Sequence, residues 1–256
     1  MTAYGLEAPL DPATATAVRR QGLSVGVATG LYGVSFGALA VASGLTVAQA
    51  QALSLLMFTG GSQFALVGIL GAGGSGVSAV ATASLLGVRN GLYALQVGQF
   101  VRGRWPHRML AAHLTIDEST AVGIAQEVQA AKRLGFWVTG VVVFLGWNLT
   151  TLIGALVGNA LGRPQTWGLD AAAACAFLAL LWPRLTTGDG RTTAVLAAFI
   201  ALVTLPYVPA GIPVILSATA AVAVGFLARG RHEAQESGHG RHEDPPGDGD
   251  PTGLLP

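Results

Sequence analysis

Hydrophobic positions run almost unbroken from Gly22 to Arg229, and polar residues cut this stretch into discrete blocks. The first block, 21–43, opens GLSVGVATGLYGVSFGALAVASG, and apolar runs follow at 52–72, 77–101, 134–161, 168–183, 192–208 and 211–228. These runs approach or exceed the ~20 residues that cross a hydrocarbon core as an α-helix. The pattern predicts an all-α polytopic membrane protein with six to eight transmembrane or re-entrant helices. Run 168–183, closed by Trp182-Pro183, is short for a full crossing and is expected to be tilted or broken. Residues 1–20 read as a cytoplasmic segment without a cleavable signal, 21–228 as a transporter-like membrane domain, and 229–256 as a disordered cytoplasmic tail.

Positive charge orients the blocks. Arg19 and Arg20 precede the first, Lys132 and Arg133 precede 134–161, Arg184 and Arg191 flank a later junction, and Arg229 and Arg231 follow the last. With these clusters in the cytoplasm, 134–161 runs outward, 168–183 inward, 192–208 outward and 211–228 inward, both termini are cytoplasmic, and Arg163 is the one exception, lying outside. The front half needs one more device, since three crossings before Arg102, Arg104 and Arg108 would leave those arginines outside. Either 52–72 or 77–101 is re-entrant, or 108–127 enters the membrane and returns the chain to the cytoplasm; the second is the expectation here, because the flanks of its acidic pair are apolar.

Composition narrows the function. Of 256 residues, 52% are hydrophobic and 11% charged, where a soluble domain carries about 25% charged. Net charge is +1, and no basic face recurs, so nucleic acid is not an expected partner. A single cysteine, Cys175, excludes an internal disulfide and reads as a packed residue. No HExxH, Walker or GxSxG motif occurs, and the spans hold no His/Asp cluster, so neither an enzyme nor a metal or other cofactor is expected. His232, His239 and His242 belong to the solvated tail.

Among 36 glycines, Gly22, Gly26 and Gly30, then Gly33 and Gly37, then Gly154, Gly158 and Gly162 recur at helical spacing. Such stripes let helix backbones approach closely in a bilayer. Their presence on 21–43 and 134–161 suggests two related halves, as in secondary transporters with binding sites at interrupted helices.

Polar residues within the apolar blocks are the candidate site. Gly60 and Gly61 loosen a helix beside Thr59, Ser62, Gln63 and Phe64, freeing backbone groups for a ligand or making a packing notch. A helix restarting at Ser62 would turn its positive end toward a carboxylate. Arg89-Asn90 lies inside 77–101 with Tyr93 one turn on, and an arginine at that depth is paired, hydrated or snorkelling. Asp117-Glu118 is either a proton-exchanging pair in a polar cavity or an exposed loop pair. Asp170 is a helix cap or a further proton-coupling site. Trp147 and Asn148 lie mid-span, where a buried amide needs a partner from substrate or a neighbouring helix.

In order, FGALAVASGLTVAQAQALSLLMFTGGSQFALVGIL, VRNGLYAL, HLTIDESTAV, LGWNLTTLIGALVG and GLDAAAACAFLALLWP resemble the AzlC family, large subunits of bacterial branched-chain amino acid exporters. The resemblance covers roughly residues 20–228. It implies proton-driven export of leucine, isoleucine or valine across the cytoplasmic membrane, with a small AzlD-like membrane subunit as partner. Gly61, Ser62, Gln63, Phe64, Arg89, Tyr93, Asp117, Glu118, Trp147 and Asp170 match the family's pattern. Where the family commonly has Asn two residues before the arginine and His just after it, this chain has Gly87 and Asn90. The substrate's carboxylate is then expected at Ser62, the freed amides and Arg89, its ammonium at Gln63, and the coupling proton on Asp117 or Glu118.

Overall fold

The computed structural model describes residues 10–160, 178 and 181–239, with side chains for all of these except 183–184 and 228–239. Every regular element among them is helical. The long helix α1 (Pro12–Ala42) is capped by Asp11, whose carboxylate accepts from the Thr14 N–H at 3.0 Å, with Pro12 in the first turn where its missing N–H is harmless. Helices α2 (Val47–Leu56), α3 (Gly61–Gly71), α4 (Gly76–Val97), α5 (Trp105–His113), α6 (Asp117–Ile124) and α7 (Gln129–Ala160) follow, and after a 3₁₀ turn at Trp182–Thr186 come α8 (Gly188–Thr204) and α9 (Ile212–His239).

The spine is a pair of helices, α1 and α7, packed side by side and parallel. A methyl group added to Gly30 would meet Gly146 Cα at 3.1 Å, and one on Gly158 would meet Ala38 Cα at 3.2 Å. The two glycine stripes thus pack α1 against α7, backbone on backbone, as small residues allow where no larger side chain intervenes. Only α1 and α7 among the described helices are, at 31 and 32 residues, both long and apolar enough to cross a hydrocarbon core. The end of the pair that carries their N-termini is called lower, the other upper.

Two broken segments enter this frame from opposite ends. Helix α2 starts at the upper end of α1 and descends to Phe58, which packs on Phe144 of α7 at 5.1 Å. Helix α3 then climbs back, from Phe64 beside Phe36 at mid-height to Gly71, which closes on Ser43 beyond the end of α1. The apolar run 52–72 is therefore a helical hairpin that returns to the upper end. Helix α4 descends to the lower end, where the Phe100 carbonyl accepts from Arg133 Nε at 2.6 Å. Helix α5 rises from His107, against Trp137, to His113, against Phe144; α6 drops back until Gly123 lies against Phe136 and Lys132.

This corrects the expected front half. Segment 108–127 does enter the core, but as a second hairpin from the lower end, and the chain is already at that end because 52–72 turns back. Each arm is only 8–11 residues, about 12–17 Å at 1.5 Å per residue, half of a ~30 Å core. The internal likeness also differs from the expected one. Hairpin α2–α3 with α4, and hairpin α5–α6 with α7, are two copies of one motif in opposite senses, whereas α1 and α7, the proposed starts of two halves, run parallel.

The turn between α8 and α9 sits at the upper end of α4, where Ser78 donates to the Ala210 carbonyl at 3.0 Å. Helix α9 continues to His239, past Leu227 where its apolar stretch ends. Glu233, Ala234, Gln235 and Glu236 are good helix formers, and they extend the helix into residues whose composition predicts disorder. Asp170, Cys175, Arg163, the run 168–177 and the tail from 240 lie outside the described residues.

Candidate functional site

The tips of the two hairpins meet at mid-height, and the same local device shapes both. At the first, Gly60 takes a left-handed φ of +61°, which favours glycine, and lets α3 restart at Gly61. Gln63, third in α3, accepts from the Gly60 N–H at 3.1 Å and donates to the Leu53 carbonyl of α2 at 3.2 Å. At the second, Ser119, third in α6, accepts from the Ile116 N–H at 3.1 Å and donates to the Leu114 carbonyl at 2.6 Å. In each case one side chain satisfies groups that a broken helix would leave bare.

Helix α4 ties the tips together with two consecutive residues. Arg89 Nη2 donates to the Thr59 carbonyl of the first tip at 3.4 Å, and Asn90 Nδ2 to the Thr115 carbonyl of the second at 3.2 Å. Arg89 Nη1 also pairs with Asp117 Oδ2 at 2.7 Å. An arginine cannot shed its charge, so in this arrangement a carboxylate and a backbone carbonyl hold it at depth.

Between the tips lies a cavity of about 50 Å³. Arg89, Asp117 and Glu118 supply its charge, Gly60 and Gly61 its exposed backbone, and Phe58, Phe64, Ile116 and Val143 an apolar wall. Helix α1 contributes Thr29, on the cavity wall with Glu118, and Tyr32, whose ring packs on Phe64 at 5.6 Å. Trp147 of α7 stands edge-on to Phe64 at 6.1 Å and stacks on Phe36 at 6.0 Å. The volume holds a few waters, whereas pockets for small ligands run to about 300–1,000 Å³. The site is narrow, and admitting an amino acid requires a tip or a flanking helix to move; its Arg89–Asp117 pair stays about a third exposed.

Three buried polar atoms in the lining residues have no hydrogen-bond partner: Arg89 Nε, Trp147 Nε1 and Asp117 Oδ1. Trp147 is 3% exposed, so water does not serve its N–H from outside. Buried polar groups are nearly always paired, and an orphan needs a reason. Two orphan donors and one orphan acceptor around one cavity fit a ligand that carries both an anionic and a cationic end. Both short helices that begin at the cavity, α3 and α6, also turn their positive ends toward it.

Of the residues read from sequence, Thr59, Gly60, Gly61, Phe64, Arg89, Trp147, Asp117 and Glu118 line this cavity, and the others do not. Gln63 is wholly buried with its amide engaged by Gly60 and Leu53, which removes it as an ammonium ligand. Ser62 is also buried; its hydroxyl lies on the side of α3 nearer Gly87 of α4, and it does not line the cavity. Asn90 braces the second tip, and Asn148 accepts from Gln51 of α2 at 3.5 Å, so both fasten elements together. Tyr93 lies outside the lining, and Asp170 lies outside the described residues. Thr29, Tyr32, Phe58, Ile116 and Val143 were missed; Thr29 and Tyr32 alone carried a signal, as polar groups one turn apart amid the glycine stripe of α1.

A family model described as AzlC protein matches residues 24–161, which span α1 to α7 and both hairpins. An "Uncharacterized membrane protein" of Archaeoglobus fulgidus is 31% identical over 153 residues, covering 59% of this chain and 67% of that protein. No solved structure matches the chain. With a family match over more than half of its length, and all of the cavity-lining residues inside it, the chain belongs to the AzlC family.

Proposed function

We propose that the protein is a multi-pass transporter of the cytoplasmic membrane that exports branched-chain amino acids, coupled to protons, together with a small AzlD-like membrane subunit. Charge distribution supports the membrane placement. The lower end gathers Arg19, Arg20, Arg102, Arg104, Arg108, Lys132 and Arg133, while the upper loops 43–46, 72–75 and 205–211 have no Lys or Arg. By the positive-inside rule the lower end faces the cytoplasm. Family membership and the relative's description as a membrane protein support the same class.

The observation that carries the substrate class is the set of orphan polar atoms beside an apolar wall. The substrate carboxylate would take Arg89 Nε, Trp147 Nε1 and the amide end of α3 at Gly61. Its ammonium would take Asp117 Oδ1, in place of Gln63. Phe58, Phe64, Ile116 and Val143 would enclose an aliphatic side chain, whose burial contributes about 1.5–3 kcal/mol. Binding then competes with the Arg89–Asp117 pair, because the incoming carboxylate offers the guanidinium a second anion. An Asp117 released in this way, or Glu118 beside it, would accept the coupling proton. The groups facing these carboxyls are Arg89 from α4 and Tyr32 and Thr29 from α1; α7 brings Val143 and Trp147, and the α2–α3 tip brings Thr59. No covalent step is part of this reading.

The test is efflux of radiolabelled leucine, isoleucine and valine from loaded vesicles containing the full chain and its small partner. Saturable efflux accelerated by a proton gradient is the expected result. Folded protein that moves none of the three would leave a membrane scaffold, or another cargo, as the reading.

A further inference from the structure

The acidic pair at the start of α6 separates two spaces. One is the cavity between the hairpin tips. The other is a wide-mouthed crevice between α1 and α6, walled by Gln21 and Val25 on one side and Ala121, Val122 and Ala125 on the other, with Asp117 and Glu118 at its head. Positions 121, 122 and 125 share a face of α6 with 117 and 118, since neighbours on a helix surface are three and four residues apart. Ala121 and Ala125 leave the width open where larger residues would fill it. At the lower end, Gln126 Nε2 donates to Gln21 Oε1 at 3.0 Å and links the two walls.

Hydrocarbon is a poor occupant for such a space. A carboxyl group at membrane depth faces a bundle interior or a water-filled cavity, and here two of them form the end wall. We infer that the crevice is an aqueous half-channel, through which the acidic pair exchanges protons with the cytoplasm while the same two residues face the substrate cavity on their other side. The step balances simply: a protonated carboxyl on the pair gives its proton to crevice water, leaving carboxylate and hydronium, and the reverse step reprotonates it. On the other side of the pair, the α2–α3 tip lines the cavity at Thr59 and Gly60. The inference rests on the transporter reading for its direction, but not for its geometry.

Charged, membrane-impermeant thiol reagents test it on a Cys175→Ala background. Val25→Cys and Ala121→Cys should react at least tenfold faster from the cytoplasmic face than Leu145→Cys, which is 62% exposed on α7 and lines neither space. Reagent applied from the opposite face should leave all three unmodified. A crevice filled by acyl chains or by a partner helix gives no faster reaction than Leu145→Cys, and that result, or labelling from the outer face, overturns the inference. Ala125→Trp supplies a second arm by plugging the crevice. It should slow gradient-driven leucine efflux at least tenfold and leave leucine counterflow, which needs no net proton movement, within twofold of the parent. Equal loss of both would also overturn it. If the parent shows no leucine counterflow, the exporter reading fails while the labelling still decides whether the crevice holds water.

Discussion

The α1–α7 seam makes a quantitative demand on Gly154. A methyl group built there would press on the Val34 carbonyl oxygen and meet Val34 C at 2.8 Å and Cα at 2.9 Å. These are backbone atoms, so no rotamer change relieves the contact and the helices must separate by about half an ångström or more. Over that gap, lining atoms lose a quarter to a half of their dispersion energy, and inserted methyl groups in packed interiors cost about 1–3 kcal/mol. The alanine regains about 0.5–1 kcal/mol as a better helix former than glycine. A net loss of about 1–2 kcal/mol corresponds to roughly 2–8 °C for a chain of this size. Gly68→Ala is the control: it is helical in α3, and a methyl there meets nothing within 4 Å. Thermal unfolding in one detergent should give Gly154→Ala a Tm several degrees below the parent and Gly68→Ala a Tm equal or higher. Equal Tm values for Gly154→Ala and parent would refute the close parallel packing of α1 on α7.

Topology gives a second expectation: on the Cys175→Ala background, Ala48→Cys and Ala72→Cys should both label from outside, and Arg102→Cys and Val128→Cys both from the cytoplasm. Labelling of Ala48→Cys and Ala72→Cys from opposite faces would make 52–72 a crossing. Gln63→Leu keeps the volume near constant but strips both bonds from the first tip, leaving buried groups at about 1–3 kcal/mol each; leucine transport should fall with a lowered Tm, and an unchanged Tm would show that Gln63 does not brace the break. Asp117→Asn and Glu118→Gln should between them remove dependence on the pH gradient. Proton-driven efflux retained in full by both variants would end the coupling role of the pair.

Much of the site was legible because charge and glycine are conspicuous in an apolar chain. Arg89, Asp117 and Glu118 had to be held by something at depth, and the structure brings them together. The break at Gly60-Gly61 was likewise visible. Its direction was not: α2 and α3 together have the length and composition of one crossing, and nothing local distinguishes a helix that continues from one that reverses. Segment 108–127 hid its hairpin for the same reason. Gln63 and Ser62 read as ligand groups because polar residues beside a break are candidates, but side-chain direction depends on helix phase after the break. Tyr32 and Thr29 stayed hidden because their role depends on α1 lying against α6 and α7, which pairwise spacing within α1 does not reveal.

Leucine affinity measured on single variants of the two orphan donors tests the central claim most directly. Losing a charged contact to a buried ligand costs about 1.5–3 kcal/mol, and 1.4 kcal/mol is tenfold in Kd. Arg89→Gln should therefore weaken leucine binding tenfold or more, and Trp147→Phe, which keeps the ring packing and loses only the N–H, should weaken it several-fold for a neutral bond. Both should leave the purified protein folded by its melting profile. Wild-type affinity in folded Arg89→Gln and Trp147→Phe would contradict a substrate carboxylate seated between the hairpin tips.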